Sequence, residues 1–134
     1  MLNKKLMVHD KHFTLGEAER MLQLIKPSVN RMIELKKILD ERGYDIFRHQ
    51  FFGGIGPNGT GVFPKEMEEL VEIVQKITNY GVQVKGVDNG LLDFPYIRRN
   101  GEEVYLCWMQ GEEQIRYWHR IPDGFSGRKS ISEL

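Results

Sequence analysis

This chain has a single cysteine, Cys107, so no internal disulfide can form, and a reducing compartment, the cytoplasm, is expected. It lacks an excess of either charge, with 19 Lys and Arg against 19 Asp and Glu, and no long block carries one sign. Nucleic-acid binders show a basic excess or stripe, so that class is set aside. No apolar run approaches the length that spans a bilayer, which argues against a membrane partner. The stretch Leu2 to Val8 is short and broken by Lys4 and Lys5, so it does not read as a signal peptide.

What is there fits one α+β domain, 1–134, large enough to bury a core without staples. It divides into a basic arm (1–12), a helical part (14–80), a β-meander (82–120) and a tail (121–134). Thr14 and Glu17 form a T-x-x-E capping box, which supplies partners to free amides of a first helical turn. Leu15, Ala18, Leu22, Ile25, Val29, Met32 and Leu39 then recur by threes and fours along one face. Gly43 is placed to close that helix. Pro27 lies inside it and removes an amide, predicting a kink or two helices in tandem.

Residues 53–61 are glycine-rich and costly to order, so they are expected to be a mobile loop. A second helix is predicted from Pro64, at the first helical position, to about Tyr80, with Gly81 beyond it. Its apolar residues, Met67, Leu70, Val71, Val74 and Ile77, again share a face, and the two helices should pair antiparallel.

From Val82 the period changes to two. Asn89-Gly90 and Asn100-Gly101 are hairpin signals, because a type I′ turn needs positive φ at both central residues. A four-stranded antiparallel meander follows, near 82–87, 91–98, 103–109 and 115–120, with the helical pair packed on one face. Two-residue turns would set Val84 opposite Pro95, Ile97 opposite Val104 and Asp93 opposite Trp108. One face then holds Val82, Val84, Leu91, Ile97, Val104, Leu106, Trp108, Ile115 and Tyr117, together with Asp93 and His119, and should meet the helices. The other holds Lys85, Phe94, Tyr96, Arg98, Tyr105, Cys107, Met109, Arg116, Trp118 and Arg120. Pro95 cannot donate to a ladder and suggests a bulge that would exchange the faces on one side of it.

The candidate chemistry is sparse. Gly54-x-Gly56-x-x-Gly59 matches the dinucleotide fingerprint only as a string, since no βαβ unit surrounds it. His9 and His12 lie on the basic arm without a second ligand pair and read as solvated. Cys107 reads as a small buried hydrophobe. No cofactor and no metal site is read from these motifs. Asp93 and His119 are the sharpest pair, yet the predicted register sets them roughly 13 Å apart along the sheet. Asp93 is therefore expected to pair with Arg128, folded back by the turns at Gly124 and Gly127.

The run GLLDFP, then EVYLCW, a Gly-Glu, YWH and GFSGR, with FTLGEAERML upstream, resembles the bacterial family known as domain of unknown function 2203. The resemblance covers nearly the whole chain. It implies a shared fold, and no functional residues are established in that family to carry over.

Two functional classes remain. One is a non-catalytic interaction or assembly module, expected to be a homodimer through Tyr96, Tyr105, Arg116 and Trp118, types enriched at interface cores. The other is an enzyme or small-ligand binder with a polar pocket at the sheet end, made by Asp93, Glu112, His119 and Arg128. The aromatic-arginine face and the lack of a catalytic set favour the first.

Overall fold

The structure is a computed structural model that describes residues 7–54 and 64–134. Helix α1, Leu15–Glu41, starts at the Thr14 capping box, with both reciprocal bonds made. It runs through Pro27 as one helix, which excludes the tandem alternative. Its buried face is Ala18, Leu22, Ile25, Val29, Met32, Leu35 and Leu39. Gly43 takes φ +71°, and the Tyr44 amide donates back to the Leu39 carbonyl at 2.8 Å, closing the helix end. Two 3₁₀ turns follow, Ile46–Arg48 and Gln50–Phe52. Most of the predicted glycine-rich loop, from residue 55 on, lies outside the described residues.

Helix α2, Lys65–Asn79, buries Met67, Leu70, Val74 and Ile77. Pro64 caps it rather than opening it as the first helical residue. Arg31 on α1 holds both carboxylate oxygens of Glu69 on α2, at 2.7 and 2.8 Å. Arg42 likewise forks onto Glu66, at 2.8 and 3.1 Å. Later residues of α1 meet earlier ones of α2, so the pair is antiparallel. Among the described residues no helix is long and apolar enough to cross a membrane.

Among the described residues the sheet has five strands rather than four: β1 Gln83–Gly86, β2 Leu91–Ile97, β3 Glu103–Trp108, β4 Tyr117–Arg120 and β5 Lys129–Ser130. They lie in chain order and pair antiparallel throughout. The extra strand is two residues of the tail, which returns to β4.

Between β2 and β3 the register departs from expectation by one residue, and the turn explains why. Asn100 keeps negative φ and only Gly101 is left-handed, at +89°. The Arg98 amide donates to Glu102 and the Gly101 amide to Arg98, each at 2.8 Å, so the loop holds three residues instead of two. Val104 therefore faces Tyr96 rather than Ile97, and Asp93 faces Cys107 rather than Trp108. At the first hairpin Val84 faces Leu92, not Pro95, and the irregularity lies between Val84 and Gly86. Pro95 pairs with Tyr105 in regular register without a bulge, and its carbonyl accepts the Phe13 amide at 2.8 Å.

A one-residue slip turns a strand over. β3 keeps the expected face, with Val104, Leu106 and Trp108 toward the helices, whereas β2 and β4 are turned over, so Leu92, Phe94, Tyr96 and Trp118 join them in the core or against it. Asp93, Tyr105, Cys107 and His119 form the opposite face, and all four are nonetheless buried.

Candidate functional site

On this outer face β3 runs between β2 and β4. Cys107 stands opposite Asp93 on one side and Tyr117 on the other, while Tyr105 stands opposite His119. Because Cys107 is small, the polar ends of Asp93 and His119 meet over the middle strand. The His119 Nε2 lies 3.0 and 3.1 Å from the two Asp93 oxygens, where the expected register had separated them by four residues. Exposure is 2% for each of them and 0% for Cys107.

The other imidazole nitrogen, Nδ1, lies 2.8 Å from the Arg120 carbonyl. A carbonyl only accepts, so Nδ1 carries a proton and Nε2 is turned toward the carboxylate. Burial pushes the His119 pKa down, but the bond to Asp93, the Arg120 carbonyl and the Asp93 charge outweigh it, and the net shift is upward. Burial, reinforced by the Asp93 charge, pushes the Cys107 thiol up to about 12. Lys85 stands at the edge of the cluster, its ammonium 3.7 Å from Asp93 and 4.6 Å from the centre of the Tyr105 ring.

One oxygen each of Asp93, the Cys107 Sγ and one His119 nitrogen all lie within 4.8 Å of one another. A carboxylate, a thiol and an imidazole converging while buried on a sheet face are chemically a metal-ligand set. They are poorly suited to thiol catalysis. A nucleophilic cysteine needs a lowered pKa and access, and Cys107 has neither.

The four residues expected to share a polar pocket fall into two pairs. Asp93 holds His119, and Arg128 holds Glu112 with both carboxylate oxygens at 2.8 Å. The predicted Asp93–Arg128 pair is not made. The same register error accounts for it, because Asp93 is turned to the side where His119 waits. Arg128 still borders the cluster: it donates to the Cys107 carbonyl at 3.3 Å and lies 4.1 Å over the Tyr117 ring.

The residues expected to form one interface do not share a face. Trp118 is buried on the helix side, where its indole N–H donates to the Ser130 carbonyl at 3.0 Å. Tyr96 packs against the same core, Tyr105 is buried on the outer face, and Arg116 is exposed.

The arm histidines are not solvated either. Glu103 accepts the Val8 and His9 amides at 2.7 and 3.0 Å and bonds the His12 Nε2 at 2.7 Å. His9 in turn bonds the Tyr105 hydroxyl. The sequence reading missed this anchoring and the place of Cys107 in the cluster. Alternation alone puts Tyr105, Cys107 and an outward Asp93 on one face once the turn length is known.

Five of the six runs on which the resemblance rests, all but FTLGEAERML, each send one residue to this region: Asp93, Cys107, Glu112, His119 and Arg128. No curated protein and no solved structure matches the chain. Residues 11–131 match a family described as an uncharacterized conserved protein, domain of unknown function 2203, and the chain belongs to that family.

Proposed function

We propose that the chain is a small-ligand-binding protein that works through the outer face of its sheet, with Asp93, Cys107 and His119 as the contacting groups. One observation carries this reading: an acid–imidazole pair and a thiol are buried together on a face away from the helix-packed core. Such a pair is a poor device for stability. Replacing a buried ion pair with apolar residues of similar volume is often neutral or stabilising. Buried titratable groups with displaced pKa values cluster where something is bound. The protonated, inaccessible thiol argues against covalent catalysis and for a contact role.

The test is a double substitution that removes both charges, Asp93→Val with His119→Leu. The expected variant folds and melts at or above the wild-type temperature, because the fold does not depend on the pair. A double variant that melts well below wild type would make the pair structural and overturn the reading.

Self-association is a second reading, favoured by one observation. Phe47 and Phe51 stand 59% and 39% exposed on the consecutive 3₁₀ turns and each packs edge-on against Phe52. A second copy would cover this apolar group. Sedimentation of wild type and Phe47→Glu checks it: a wild type that is monomeric at micromolar concentration removes the argument.

A further inference from the structure

Resting on the ligand-binding reading above, we infer that the ligand is a borderline-soft divalent metal ion of the zinc type, held by Asp93 Oδ, Cys107 Sγ and His119 Nε2. The donor geometry supports this. Tetrahedral zinc with ligands at 2.0–2.3 Å sets its donors about 3.3–3.7 Å apart. The Asp93 and His119 donors already stand 3.0–3.1 Å apart, and all three donors fall within 4.8 Å. The ion fits after small side-chain shifts.

The orientation of His119 supports it too. Its Nδ1 is fixed on the Arg120 carbonyl, so Nε2 points to the shared centre, the arrangement that outer hydrogen bonds impose on metal-ligating histidines.

Charge is balanced both with and without the ion. Empty, the cluster is neutral when the imidazolium faces the carboxylate beside an uncharged thiol. Filled, a carboxylate, a thiolate and a neutral imidazole carry two negative charges against a doubly positive ion. The ion replaces two protons, one from His119 Nε2 and one from Cys107 Sγ, and no net charge is buried in either state.

The donor types choose the metal. Thiolate and imidazole select zinc and its neighbours, whereas magnesium and calcium take oxygen donors. Three protein ligands leave a fourth position for water or a small molecule, as in open zinc sites.

Cobalt(II) is the probe, added to the chelator-treated full chain. The expected result is one equivalent bound, with a thiolate-to-cobalt charge-transfer band in the near ultraviolet that zinc abolishes by displacement. Cys107→Ser should lose that band with an unchanged far-ultraviolet dichroism spectrum. His119→Gln should weaken binding about 10-fold or more. His9→Ala, which removes the arm's bond to the Tyr105 hydroxyl and none of the three proposed ligands, should keep both band and stoichiometry. Absence of the band in wild type overturns the metal site, and this needs no variant to fold. Its persistence in Cys107→Ser, or its loss in His9→Ala, does so equally. If the band is absent while the apolar Asp93/His119 double variant still folds with full stability, only the metal falls and a ligand of another class is sought. If that double variant collapses as well, the ligand-binding reading falls with it.

Discussion

The His119 imidazole reaches over β3 to the Asp93 carboxylate at 3.0 Å, so that two outer-facing strands are tied through the one between them. Each side chain is almost fully buried, at 2% and 3% exposure. Removing one member takes from the other its buried partner, although Asp93 would keep the half-exposed Lys85 at 3.7 Å. His119→Leu alone, or Asp93→Val alone, should cost up to about 3–5 kcal/mol, because a buried charge is left without its partner. The double variant should recover most of that loss, giving strong non-additivity. Chemical denaturation of the two singles and the double measures it. Two single losses that simply add would show that each residue acts through other neighbours.

The arm should be released by acid. Glu103 accepts two successive arm amides and the His12 ring. Burial alone would raise its pKa, but the bonds from Val8, His12 and His9 hold it below its ordinary value of 4.5. A carboxylate depressed in the fold stabilises fully above its unfolded pKa and loses that contribution as pH falls through the folded value. Hydrogen exchange at the Val8 and His9 amides should therefore accelerate below about pH 4.5, relative to the intrinsic rate. Glu103→Gln should show fast exchange already at neutral pH. Protection that is independent of pH and of this substitution would mean that something else holds the arm.

Much of the helical half was legible in the sequence, because its signals are local. The Thr14 box, the three-four spacing from Ala18 to Leu39 and the glycines at 43 and 81 each act within a turn or two of the chain. The meander was legible as strands, since alternation and turn residues mark them. Its faces were not, because an Asn-Gly pair does not specify whether asparagine takes positive φ. At Asn100 it does not, the loop gains a residue, and Asp93 and Phe94 change sides, while Trp118 changes sides through the separate β3–β4 register, Leu106 facing Trp118. The two one-residue shifts, Asp93 to Cys107 and His119 to Tyr105, together account for the separation expected of the Asp93–His119 pair. The contacts of Glu103 with Val8 and His9 span 95 and 94 residues, and β5 is two residues long. No local pattern announces either.

The turn itself can be tested. A Cβ on Gly101 would meet nothing within 4 Å, so substitution there costs backbone conformation alone. Gly101→Ala should lose about 1–2 kcal/mol, the penalty for placing an L-residue in the left-handed region. Asn100 has ordinary φ, and its side chain accepts the Glu102 amide at 3.0 Å. Asn100→Ala should lose only that bond and be the milder of the two, by chemical denaturation. Equal or reversed losses would restore the two-residue turn, and with it the other assignment of faces.

The tail is held by geometry as well as charge. Arg128 Nη2 donates to both Glu112 carboxylate oxygens and to the Cys107 carbonyl, and the guanidinium lies over both Tyr117 and Phe125, at 4.1 and 4.7 Å from the ring centres. Glu112 is itself fixed, since its carboxylate accepts the Met109 amide at 2.8 Å and its carbonyl accepts the Trp108 indole at 2.9 Å. A lysine at 128 would keep the charge and could supply one donor nitrogen, as Nη2 does now, but would lose the planar stacking on Tyr117 and Phe125. Arg128→Lys should therefore destabilise by about 2 kcal/mol, close to the loss from Arg128→Met. The loss should show first as faster exchange of the Ile131 amide, which donates to the Arg116 carbonyl at 3.0 Å beside the β4–β5 pairing. If lysine restores full stability, charge and a single donor anchor the tail and the stacking on Tyr117 and Phe125 contributes nothing measurable.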